Sequence, residues 1–200
     1  SDGVTSIGEK AFYNCSGLPE IVIPKSVATI GSDAFYGCTG IKKLTIADSE
    51  TPLQLAATIS SWTLDTLYLG RDLSYNYTTS PFSHSSQTLK SVTISNNVTT
   101  LGNNMFENCT GLTEVVIPGS VNSIGKKTFY GCTGLQKVNI SENVTSLNDY
   151  VFGGCSSLTE IVIPSSVTTI GNYAFNSCSG IKKLTIADSE TPLQIGANNS

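Results

Sequence analysis

The chain has 200 residues; 39% are hydrophobic and only 13% charged, about half the usual share of roughly 25%, and the net charge is −4. That balance, with Arg71 as the one arginine, excludes a nucleic-acid surface, which needs clustered Lys and Arg. No apolar run approaches the ~18 residues of a membrane-crossing helix, so no membrane insertion by this segment is expected.

The first complete unit sets the pattern for the rest. Leu18, Ile21 and Ile23 alternate as in a half-buried strand. Val27 and Ile30 follow at a spacing that fits a turn and a second extended piece. Gly31 punctuates. Ala34, Phe35 and Cys38 then recur as in one inward-facing helical turn. Further along the chain the strand triplet returns as LTI at 44–46, LYL at 67–69, VTI at 92–94, VVI at 115–117, VNI at 138–140, IVI at 161–163 and LTI at 184–186. Cysteines at 15, 38, 109, 132, 155 and 178 share this grid of 23 residues, except for one gap of 71, which is three periods and two extra residues.

Such a unit is too short to enclose a core. Only stacking against the next coil covers its apolar groups. Identical strands stacked in register give a parallel sheet with strands ~4.8 Å apart, so the eight units predict a rod or arc roughly 35–40 Å long. Coils that meet nearly the same neighbours permit copying. GIKKLTIADSETPLQ stands at 40–54 and again, unchanged, at 180–194, as duplication of a six-unit block would leave it. The final IGANNS falls in mid-unit, and a piece of a longer array is the expectation.

Two columns carry chemical information. The outward position before each triplet reads Glu20, Lys43, Thr66, Ser91, Glu114, Lys137, Glu160 and Lys183. Opposite charges on neighbouring strands attract. The column therefore reads as a neutralised ladder that sets register, or as a patterned binding face. The cysteines lie at one phase of the coil, beside the inward Phe. Stacked side chains run parallel, whereas a disulfide needs converging Cβ vectors. Buried free thiols fit that phase better than disulfides, and no metal-ligand spacing occurs.

The units over about 47–91 are irregular. They lack cysteine, and the Ala-Phe pair is absent or altered; Ser61 and Ser86 occupy the cysteine phase. This stretch holds Trp62, Tyr68, Arg71, Tyr75, Tyr77 and His84, a composition found at interaction hot spots. Those six are the candidate partner-binding residues. The competing reading is repeat decay, with a large ring filling space left by the missing Phe–Cys pair. Catalysis finds no support: the lone His84 sits in a Ser-rich loop without a fixed acid, and no glycine-rich phosphate loop occurs. Neither an enzyme nor a cofactor is expected.

Written out, IGSDAFYGCTGIKKLTI, IGKKTFYGCTGLQKVNI and IGNYAFNSCSGIKKLTI resemble the BspA-type leucine-rich repeats, a family of surface proteins of anaerobic bacteria and some protists. The resemblance implies an α/β repeat protein. Its solenoid, spanning 1–200, would have one continuous parallel sheet of about eight short strands, with short helical or 3-10 turns opposite. It further implies a non-catalytic scaffold, secreted or on the cell surface. Adhesion to a host matrix protein, a partner-cell protein or a glycan is the expected role. A structural spacer that projects another domain is the alternative.

Overall fold

The computed structural model describes residues 3–56, 62–76 and 78–196. Two rows of parallel strands run through them. The first row holds eight strands of four residues: Glu20–Ile23, Lys43–Ile46, Thr66–Leu69, Ser91–Ile94, Glu114–Ile117, Lys137–Ile140, Glu160–Ile163 and Lys183–Ile186. Their pairing follows the repeat grid, with Glu20 opposite Lys43, Lys43 opposite Thr66 and Glu114 opposite Lys137. The Glu–Lys column is a real ladder. Lys43 meets Glu20 at 3.4 Å and Lys137 meets Glu114 at 3.1 Å. All four side chains stay solvated, so the pairs set register more than they stabilise.

The row is not one continuous sheet. Its hydrogen-bonded ladders group as four, two and two strands, with breaks after Ser91–Ile94 and after Lys137–Ile140. Strands on either side of each break still pack as neighbours. A second row, of two- and three-residue strands, accompanies it. Ser6–Ile7, Thr29–Ile30, Leu53–Leu55 and Leu73–Ser74 form one parallel ladder. Thr100–Leu101, Ser123–Ile124, Ser146–Leu147, Thr169–Ile170 and Gln194–Ile195 form another.

The expected helical turns are absent, and the α/β class is corrected to an all-β solenoid. Among the described residues the sole helical element is the 3-10 turn Ser83–Ser85. The reason lies in two left-handed positions per coil. Asp33 and Gly37, at φ 54° and 76°, bracket Ala34-Phe35-Tyr36, and a helix needs an unbroken right-handed run. Lys10, Asn104, Lys127, Tyr150 and Tyr173 repeat the first position, and Asn14, Asn108, Gly131, Gly154 and Ser177 the second. Some N–H groups here close isolated turns along the chain, as Tyr36 does to the Asp33 carbonyl at 3.0 Å and Cys38 to that of Phe35 at 3.2 Å, and the ones between them bond from coil to coil. Phe12 N–H donates to the Ala34 carbonyl and Asn14 N–H to that of Tyr36, both at 2.7 Å. Phe106 to Thr128, Phe129 to Val151 and Phe152 to Ala174 continue the series. This side of the coil thus uses its backbone to hold the next coil, as the two strand rows do within each ladder.

Inside, like stacks on like. Phe106, Phe129 and Phe152 are fully buried, with centroids 5.5 Å apart and nearly parallel planes. The cysteines are free and stand beside them. Four of the six thiols donate to the carbonyl of the Phe one coil back: Cys38 to Phe12, Cys132 to Phe106, Cys155 to Phe129 and Cys178 to Phe152, at 3.0–3.2 Å. Burial pushes the Cys109 thiol well above its ordinary pKa and Cys132 up to about 12. Cys155 is raised by its hydrogen bond with Cys178 and then by burial.

Candidate functional site

The irregular coils keep the internal ladder by other means. Trp62 is fully buried and meets Phe35 edge-on at 5.4 Å. Its indole Nε1 donates to the Phe35 carbonyl at 3.2 Å, the bond a cysteine thiol makes elsewhere. One coil on, the Ser85 hydroxyl donates to the Trp62 carbonyl at 2.9 Å and accepts from Leu64 N–H. So Ser85, one place from the Ser86 that spacing indicates, continues the thiol ladder.

Arg71 is buried too. Nη2 donates to the Pro24 carbonyl at 2.9 Å, and Nη1 to the Lys25 and Thr51 carbonyls at 3.3 and 3.5 Å. Among the described residues no carboxylate pairs with it, and burial lowers its pKa. The guanidinium is a cross-brace between coils. Gly70 before it has no room for a side chain: a Cβ there would lie 2.3 Å from the Ile46 carbonyl oxygen. Trp62 and Arg71 therefore face inward, where no partner reaches them.

Tyr68 and Tyr75 reach the surface, on different rows. Tyr68 lies in the second outward column of the first row, two residues after the Glu–Lys column, which reads Val22, Thr45, Tyr68, Thr93, Val116, Asn139, Val162 and Thr185. Its hydroxyl donates to both carboxylate oxygens of Asp48 at 3.0 Å, and Ser95 donates to the same carboxylate at 2.5 Å. Three successive coils are tied at that point. The Ser95 bond, then those of Tyr68 and Asn97, hold the Asp48 carboxyl below the usual carboxylate range. Around Tyr68 the column is uncharged: Val22, Val116 and Val162 are each more than half exposed.

Tyr75 marks the break in the second row. Leu73–Ser74 and Thr100–Leu101 do not pair, and side chains span the gap instead. Asp72 accepts from Thr99 N–H and Thr100 N–H at 2.8 and 3.0 Å, and from the Thr99 hydroxyl at 2.6 Å. The Tyr75 hydroxyl donates to the Asn103 carbonyl at 2.8 Å, its ring lying against Gly102. A groove of about 790 Å³ opens here, lined largely by amides and hydroxyls. Of the four candidates whose side chains are described, then, the structure brings Tyr75 to this groove and Tyr68 to the first-row face. Tyr77 and the side chain of His84 lie outside the described residues. Asp48, Asp72, Asn103 and Asn104 are contributions that the spacing argument missed; the pair Asn103-Asn104, where another coil has Ser32-Asp33, was the available signal.

Among the described residues, no cluster of three or more His, Cys, Asp or Glu is placed to hold a metal, and no helix is long and apolar enough to cross a membrane. Stacked coils with parallel strand rows, an aromatic–thiol spine and an uncharged outer column define a leucine-rich-repeat solenoid. The sequence matches the BspA type leucine rich repeat region over residues 1–75 and 77–198, in six copies, and the chain belongs to that family. Repeats of this kind are protein-binding scaffolds. The fold is similar to that of a T. pallidum leucine rich repeat protein, TpLRR, 26% identical, over 90% of this chain and 74% of that one with a TM-score of 0.58. A leucine-rich repeat protein from Eubacterium ventriosum shares the fold at 22% identity, over 92% of this chain and 71% of its own, with a TM-score of 0.50. Among curated proteins, none matches the sequence.

Proposed function

We propose that the chain is a non-catalytic adhesion scaffold, secreted or displayed on a cell surface, that grips a protein of a host or partner cell through the first-row face around Tyr68. The observation that supports this reading is the outward column itself. Val22, Val116 and Val162 are more than half exposed on strands whose register is fixed, and the adjoining charges are neutralised in pairs. A rigid, uncharged face of this kind suits a protein surface met by shape and short polar contacts. It does not suit an anionic partner. Family membership supports the same direction.

The test is a pull-down from host-cell surface and matrix proteins with the purified chain, then titration of the captured protein. Val116→Lys and Val162→Glu place charge on the exposed face without touching the core. Loss of binding with an unchanged Tm supports the reading. Capture that ignores both substitutions, or no specific capture at all, removes it and leaves the spacer role.

A further inference from the structure

The amides of the second-row groove are anchored at one end and open at the other. Asn103 Oδ1 accepts from Lys126 N–H at 2.8 Å, which leaves Nδ2 as a donor. Asn104 Nδ2 donates to the Thr78 carbonyl at 2.9 Å and Asn148 Nδ2 to the Ile124 carbonyl at 2.6 Å, which leaves both Oδ1 atoms as acceptors. A fixed amide with one free end loses little freedom on binding, which favours affinity. One wall therefore offers both a donor, from Asn103, and acceptors, from Asn104 and Asn148.

Most of the charge in the groove is paired, and Lys127, which lines a smaller depression beside it, sits with its ammonium 5.4 and 5.7 Å from the Tyr130 and Tyr150 ring centroids. Asp72 is saturated by three donors from Thr99 and Thr100. Lys126 pairs with Asp149 at 2.8 Å. A second, smaller depression of about 320 Å³ adjoins the first through Asn103, Asn104 and Lys126 and ends at Tyr150. Tyr150 is held by stacking on Tyr173 at 4.8 Å. Tyr75 and Tyr150 thus bracket the trough across three coil steps, roughly 15 Å at the ~4.8 Å strand spacing.

These features match one ligand chemistry. A neutral sugar offers hydroxyls that both donate and accept, and a ring face of C–H groups that packs on aromatic rings. A peptide strand would need open backbone groups at the split, and there Asp72 has already taken the Thr99 and Thr100 N–H groups. We infer that the trough from Tyr75 to Tyr150 binds a short neutral oligosaccharide. The site lies on a different row from the protein-docking face proposed above, and it stands or falls independently of that face.

The experiment is an array of neutral and acidic oligosaccharides probed with the whole chain, then calorimetry with the strongest binder. Two variants accompany it: Asn76→Ala, which alters an exposed lining residue, and Tyr150→Asn, since Asn tolerates the left-handed backbone there at φ 56°. The expected result is saturable binding of a neutral glycan, weakened about tenfold in each variant. Val116→Lys should leave it unchanged. If Tyr150→Asn lowers Tm, Asn76→Ala alone decides. The inference is overturned if no neutral glycan binds, if acidic glycans are preferred, or if Asn76→Ala binds as tightly as the parent chain.

Discussion

Leu44 and Leu184 hold the same place in two identical fifteen-residue segments, yet Leu44 is 1% exposed and Leu184 is 56% exposed. Leu44 is paired on both sides, with Ile21 and Leu67; among the described residues Leu184 is paired on one side, with Ile161. Local sequence is the same, so the difference comes wholly from the neighbouring coil. Leu44→Ala should cost about 2–5 kcal/mol, as buried Leu truncations do. Leu184→Ala should cost about 1 kcal/mol or less. Paired denaturant titrations of the two variants check this, and equal losses would contradict it.

Arg71 gives a second test. Arg71→Met keeps much of the volume but removes the guanidinium donors from the Lys25 and Thr51 carbonyls and one of two donors from that of Pro24, which keeps Val27 N–H. The expected loss is about 1–3 kcal/mol. Partner binding to the folded variant should be unchanged, because the guanidinium is buried. A stable variant with weakened binding would instead make Arg71 a contact residue.

The thiols differ in reactivity for a stated reason. Cys15 is exposed, whereas Cys109, Cys132 and Cys155 are buried with raised pKa values, about 12 for Cys132. The thiolate is the reactive form, so at pH 8 the buried three have almost none. Titration with a chromogenic disulfide should label Cys15 at once and these three only after denaturation. Mass spectrometry showing disulfides among them would contradict the fold.

Acid should act through two carboxylates. Asp48 is held low by Ser95, Tyr68 and Asn97; Asp149 is held low by Lys126 and the Asn172 N–H. A depressed folded-state pKa contributes stability that is present above the unfolded value of about 3.9 and is lost as pH falls through the folded value. Tm should therefore be flat from neutral pH to about 4.5 and fall below it. Asp48→Asn should make that fall shallower, and an unchanged acid limb would count against the Asp48 cluster.

Much of this was legible in the residues. The Glu20–Lys43 and Glu114–Lys137 pairings follow from the repeat period, and the exposure of Val22 and Val116 follows from strand alternation. The second row was not legible as a ladder, because Thr29–Ile30 is too short for a period of two to show. The turns misled for another reason. Ala34, Phe35 and Cys38 have helical spacing, and nothing in Lys127, Tyr150 or Tyr173 announces a left-handed backbone. Trp62 had two readings, a hot-spot residue or a large ring filling the space left by the missing Phe–Cys pair; its burial and its indole bond to the Phe35 carbonyl fit the second. The amide groove arises from a strand pair that fails to form, and a missing ladder leaves no motif.

Residue-level hydrogen exchange tests the central claim most directly. If each coil is held by the coils on either side of it, amides of Lys43–Ile46 and Thr66–Leu69, ladder-paired on both sides, should be the slowest to exchange. Those of Lys183–Ile186, identical in sequence to Lys43–Ile46, should exchange much faster than that internal copy. Equal protection of the two copies would contradict the account.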